Sequence, residues 1–177
     1  MANTTQTGAA ASRDERTNPQ SPKITTFLWF DNNADEAANY YVSIFKNSKI
    51  LRSVPYGEGG PRPKGSVMVV DFVLDGQEFT ALNGGPIFKF NESVSQVVHC
   101  KTQEEVDYFW EKLSEGGQKV ECGWLKDKYG LSWQVVPDVL LEWIGDRDRE
   151  KADRVFQAMM KMQKLDIAEL QKAADGK

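Results

Sequence analysis

Apolar and polar positions run along the chain in two rhythms, one of period two and one of helical period, and their order of succession occurs twice. Residues 24–30 (ITTFLWF) predict a strand. Asn33-Ala34-Asp35-Glu36 then reads as a capping box, with Asn33 capping a helix and Glu36 reaching back. Ala37, Tyr40, Tyr41, Ile44 and Phe45 recur at helical spacing and give that helix one apolar face. A short strand over 48–54 follows, then a Gly/Pro loop over 56–65 (YGEGGPRPKG), long enough to be mobile or to serve as a lid. Strands over 67–74 and 77–82 flank a tight Asp75-Gly76 hairpin turn.

After Asn83-Gly84-Gly85-Pro86, which reads as a linker, the pattern restarts. Residues 94–100 (VSQVVHC) predict a strand, and Thr102-Gln103-Glu104-Glu105 a second capping box. Val106, Phe109, Trp110 and Leu113 make the stripe of a second helix that ends at Gly116-Gly117. Two short strands lead to turn chemistry at 126–130 and a last strand over 131–136. On that strand Ser132, Gln134 and Val136 share one face, and Leu131, Trp133 and Val135 the other. The wholly apolar face is expected against a helix and the other to line something.

The capping glutamates, Glu36 and Glu105, lie 69 residues apart, and each half closes with a strand led by a glycine, Gly76 or Gly130. This is a tandem βαβββ repeat of α+β class, in which neither half alone covers its sheet. Residues 146–163 are amphipathic, with Ala152, Val155, Phe156 and Met159 on one face, and Asp166-Ile167-Ala168-Glu169 starts a third capped helix. This tail is expected to pack on the sheet or across a dimer. A ligand surface made of Met159, Met160 and Met162 is the sharper alternative.

Composition narrows the function classes. The 177 residues are 40% hydrophobic, enough for a true core. A net charge of -4 and a pI near 5.2 argue against attraction to nucleic acid or to an anionic membrane. No apolar run approaches the ~20 residues of a membrane span. Cys100 and Cys122 are the two cysteines, and with no signal-peptide pattern they are expected as free thiols in a reducing cytoplasm. Residues 1–22 are small, polar and charged and are expected to be a disordered leader; Asp14 and Glu15 weigh against a transit peptide.

The phrases LWFDNNADEAANYY, ALNGGPIFKFNESVSQVV, QEEVDYFWEKL and CGWLKDKYGLSWQVVP, with LDIAELQKA in the tail, resemble the PhnB-like family, often labelled 3-demethylubiquinone-9 3-methyltransferase. That family is a branch of the vicinal oxygen chelate superfamily of glyoxalases, bleomycin resistance proteins and extradiol dioxygenases. The resemblance implies a glyoxalase-like domain over 23–145, with modules at 23–85 and 92–137, followed by a helical tail over 146–177. It implies sheets joined into a cup, within one chain or between the two chains of a homodimer. It also implies divalent-metal positions at Thr25 or Thr26, Thr80, Ser95 and Gln134. Threonine, serine and neutral glutamine bring no imidazole and no carboxylate, so the expectation is a cup with neither metal nor other cofactor.

Within the cup, Phe27 and Trp29 are the candidate apolar contacts, and Thr80, Ser95, Ser132 and Gln134 the polar ones that orient a ligand. Trp133 and Trp110 are assigned to the core. His99, the only histidine, and Glu78 are the candidate acid/base groups. The primary expectation is metal-free binding of a small apolar or aromatic molecule. The alternatives are an enzyme using Glu78 or His99, and a non-catalytic dimeric interaction protein. No G-x-G-x-x-G and no strand–helix alternation of dinucleotide-binding type accompany the methyltransferase label.

Overall fold

The computed structural model describes residues 22–177, so the expected leader lies, up to position 21, outside the described residues. The first module comprises β1 (Thr26–Phe30), α1 (Ala34–Ile44), β2 (Lys49–Pro55), β3 (Val67–Leu74) and β4 (Gln77–Asn83). The second comprises β5 (Ser95–Cys100), α2 (Gln103–Ser114), β6 (Gln118–Lys119), β7 (Trp124–Lys126) and β8 (Ser132–Pro137). Helices α3 (Asp138–Ile144), α4 (Arg149–Met159) and α5 (Ile167–Ala174) complete the chain.

Each module folds into a four-stranded mixed sheet of the same order, β1-β4-β3-β2 and β5-β8-β7-β6. The first strand of each runs parallel to the last, and the other neighbours are antiparallel. The Asp75-Gly76 turn that fixes the β3–β4 register has φ of 44° and 87°, the left-handed pair a two-residue hairpin needs.

The helix starts are built in different ways. Thr102 accepts from the Glu105 backbone N–H at 3.3 Å, and the Glu105 carboxylate accepts from the Lys101 N–H at 2.7 Å. Asn33 makes no such side-chain bond. The Ala34 N–H instead donates to the Asn83 side-chain oxygen at 2.8 Å, so α1 is capped from the end of β4, and Glu36 is released for other contacts. The 56–65 loop is fastened at both ends. Its hairpin is closed by the Tyr56 and Gly65 backbone bonds, the Tyr56 hydroxyl donates to the Asn83 carbonyl at 2.6 Å, and Arg62 pairs with Asp31.

One continuous core joins the modules through their helix-covered sides. It runs from Leu28, Phe30, Tyr41 and Phe72 in the first to Val106, Trp110, Leu125 and Trp133 in the second. Ala34, Ala37 and Ala38, all fully buried, let α1 lie close on its sheet. At the seam Phe45 stacks on Phe109 and on Trp133, with ring centroids 5.0 and 5.6 Å apart. The Tyr108 hydroxyl donates to the Ile44 carbonyl at 3.0 Å. The other face of each sheet is therefore turned outward: Phe27 is 58% and Val97 45% exposed.

The tail forms its own cluster of Leu140, Trp143, Val155, Leu165 and Leu170, which buries Val136 of β8. The Cys122 and Gly123 N–H groups donate to the Met162 and Gln163 carbonyls, both at 2.7 Å. The Gln103 side chain holds Leu165 and Ile167. Met159 and Met162 pack against this cluster and Met160 is exposed. Helix α3 begins where the β8 pattern stops and was not expected from the sequence, because DVLLEWI is too short to show a helical period. Among the described residues no helix is long and apolar enough to cross a membrane.

Candidate functional site

Strand alternation and register place the candidate residues on the two outward faces. On the first, Phe27 lies beside Thr80 and Trp29 beside Leu82, and Glu78 shares the Thr80 face. Trp29 is half-buried under the segment after β4: its indole N–H donates to the Gly85 carbonyl at 2.8 Å and its ring meets Phe88 edge-on. Thr80 donates to Asp71 at 2.7 Å, and Arg52 binds the other oxygen of that carboxylate at 2.6 Å. Arg52 and Asp71 were not singled out in the sequence. The available signal was Asp71 itself, a carboxylate inside the otherwise apolar strand VMVVDFVL.

On the second face Ser95 lies beside Ser132, Val97 beside Gln134 and His99 beside Val136. The Gln134 amide donates to the Ser95 hydroxyl at 2.8 Å. Ser132 is fully buried, and among the described residues its hydroxyl has no hydrogen-bond partner. Lys126 lies beside Ser132 on the next strand and pairs with Glu92. His99 is exposed, with Nδ1 3.2 Å from the Asp138 carboxylate at the start of α3. The chain thus brings Phe27, Trp29, Glu78 and Thr80 onto one sheet and Ser95, His99, Ser132 and Gln134 onto the other.

A groove of about 830 Å³ opens between the modules, with Phe45, Phe79, Phe109 and Trp133 in its lining. Of the candidates only His99 touches it. Its apolar lining is the margin of the shared core and one wall is β5, an edge strand, so it is a gap at the module junction and not the expected cup.

The superfamily's metal positions carry donors that do not fit a divalent ion. Thr80 is committed to Asp71, and Ser95 and Gln134 are bonded to each other. Thr26 pairs with Phe79 and so points to the helix side, while Thr25 precedes the strand. Among the described residues no group of three or more His, Cys, Asp or Glu side chains converges to hold a metal. Both thiols are free; burial pushes the Cys100 thiol up to about 12, and Cys122 is raised by burial and by Glu121.

The family model described as 3-demethylubiquinone-9 3-methyltransferase matches residues 22–136. Among solved structures, a putative 3-demethylubiquinone-9 3-methyltransferase, PhnB protein, from Bacillus cereus is 39% identical, with a TM-score of 0.61. The match covers 66% of this chain and 99% of that one. A Pseudomonas aeruginosa protein is 21% identical at a TM-score of 0.55, over 66% and 98% of the two chains. The fosfomycin resistance protein FosX from Listeria monocytogenes, 15% identical, shares the fold at a TM-score of 0.51, over 72% and 99%. No curated protein matches.

Proposed function

The chain belongs to the PhnB-like, 3-demethylubiquinone-9 3-methyltransferase family of the vicinal oxygen chelate superfamily, and from that premise we propose that it binds a small apolar or aromatic molecule in a cup completed between two copies of itself. The observation that carries this reading is the pair of outward faces. Each places polar side chains in a largely apolar strand setting, and each is exposed along its edge strand, at Phe27 on β1 or at Val97 on β5. Both faces end in an edge strand, β1 or β5, and an unpaired edge is a ready template for another chain. Joining β1 of one copy to β5 of the next sets Phe27, Trp29 and Thr80 next to Ser95, Ser132 and Gln134. Aromatic rings with a few polar groups are the usual lining of a small-molecule site.

Binding in this reading uses no metal, because the donors at the metal positions are neutral and already bonded to their neighbours. The family description names a methyl transfer. That activity is not part of the reading, since both sheets are mixed, with one parallel pair each, unlike a doubly wound nucleotide-binding sheet. A cytoplasmic location, where Cys100 and Cys122 stay reduced, completes it.

The test is titration of the full chain with 2-naphthamide, a neutral bicyclic probe, followed by tryptophan fluorescence and calorimetry. Saturable quenching is expected, weakened about tenfold in Gln134→Ala by loss of one polar contact. Absence of saturation would leave the dimeric interaction protein as the surviving account. A second reading, acid/base work by Glu78 or His99, has one observation in its favour. Asp138 holds His99 by Nδ1, which engages one of the two ring nitrogens and leaves the other for proton transfer. If Glu78→Gln and His99→Ala leave every turnover unchanged, that reading ends.

A further inference from the structure

Ser132 sits in the middle of a polar row that crosses the second module. In register it lies between Ser95 on β5 and Lys126 on β7, so the three side chains stand together on the outward face. A fully buried hydroxyl without a partner among the described residues calls for an explanation, because native interiors satisfy nearly all such groups. Its neighbours on the row are a hydroxyl and an ammonium. Ser95 accepts from Gln134 and so keeps its proton for a further acceptor. Lys126 is mostly covered, and its partner is Glu92, a side chain in the segment between the modules and outside any strand. The row thus gathers three donors, and the carboxylate paired with it, Glu92, comes from the connecting segment.

We propose that Lys126, Ser132 and Ser95 bind the anionic head group of the cup's ligand, a carboxylate or similar oxyanion, and that Glu92 engages Lys126 until the ligand displaces it. The inference rests on the cup reading above and supplies the ligand's class: an apolar or aromatic body with an acidic end. The body has Trp124, beside Lys126 and opposite Gln134, and Val97 to lie against. Two hydroxyls and an ammonium are suited to an acceptor-only group with several lone pairs, and hydrogen bonds to a charged acceptor are the stronger kind. The bond from Lys126 holds the Glu92 carboxyl below its usual range.

The experiment compares 2-naphthoate with 2-naphthamide, equal in shape and different in charge, on the full chain by calorimetry. Wild type is expected to bind the naphthoate about tenfold more tightly, a preference that Lys126→Met removes and Ser132→Ala reduces. Glu92→Gln, at a largely exposed side chain outside the strands, is expected to tighten naphthoate about fivefold and naphthamide by clearly less. Equal affinity for the two probes, with no effect of Glu92→Gln, would overturn the head-group site and leave the cup standing. Failure of both probes to bind would overturn the two together.

Discussion

Tyr41 and Asp127, 86 residues apart in sequence, meet in the shared core, where the tyrosine hydroxyl donates to the carboxylate at 2.7 Å. The same oxygen accepts from the Trp133 indole at 2.8 Å, and the other accepts from the Tyr129 and Leu131 N–H groups. One buried carboxylate therefore ties α1 of the first module to the turn and last strand of the second. Burial pushes the Asp127 carboxyl up, against the pull of its four donors. Asp127→Ala strands those donors and is expected to cost roughly 3 kcal/mol or more, and Tyr41→Phe about 1–2. Urea unfolding measures both; a loss below ~1 kcal/mol for Asp127→Ala would show that the modules do not depend on this joint.

Gly84 lies against the ring of Trp29. A Cβ at that position would lie 2.3 Å from two carbons of the indole, so Gly84→Ala must move the ring. The expected result is a shifted tryptophan emission, a weaker indole bond to Gly85 and at least about tenfold poorer 2-naphthamide binding. Emission and affinity identical to wild type would remove Trp29 from the cup.

Glu36 offers a pH test of the module seam. The Tyr129 hydroxyl is the main cause of its lowered carboxyl pKa; partial desolvation opposes it, and Lys128 lowers it further. A carboxyl lowered in the folded state stabilises above its unfolded pKa, and the contribution disappears as pH falls through the folded one. Wild type is thus expected to exceed Glu36→Gln in urea midpoint at pH 7 and to match it near pH 3. A difference that persists unchanged at pH 3 would rule out the carboxylate as its source.

The repeat was legible because period-two and helical patterns alternate in the same order twice, and the Asp75-Gly76 and Gly130 turns announced where strands begin. Face assignments on β1, β4, β5 and β8 followed from alternation alone. What the chain did not disclose depends on distance in sequence. Asn83 caps α1 from 49 residues away, which leaves the local Asn33-to-Glu36 signal without its bonds. Asp127 looked like an ordinary turn residue, and only the fold brings Tyr41 and Trp133 to it. Alternation shows that a face is polar and apolar by turns. It does not say whether that face looks inward to its own partner module or outward, and here the aromatic seam of Phe45, Phe109 and Trp133 decides for outward.

The outward faces make the oligomeric state the decisive property of the cup. Edge strands protect themselves with charge, proline or cover, yet β1 (TFLWF) presents an exposed Phe27 and β5 (SQVVHC) an exposed Val97. Light scattering at micromolar concentration is expected to find a homodimer. Phe27→Asp and Val97→Asp place a charge beside the proposed seam without removing a buried side chain, so they are expected to yield monomers whose far-ultraviolet dichroism and melting temperature stay close to wild type. Phe156→Asp, at an exposed position on α4, serves as the control that leaves the dimer intact. Since the cup in this account needs both faces, the monomeric variants should also lose 2-naphthamide binding. A wild-type monomer that still binds the probe would mean that one face suffices, and the two-copy cup would be abandoned.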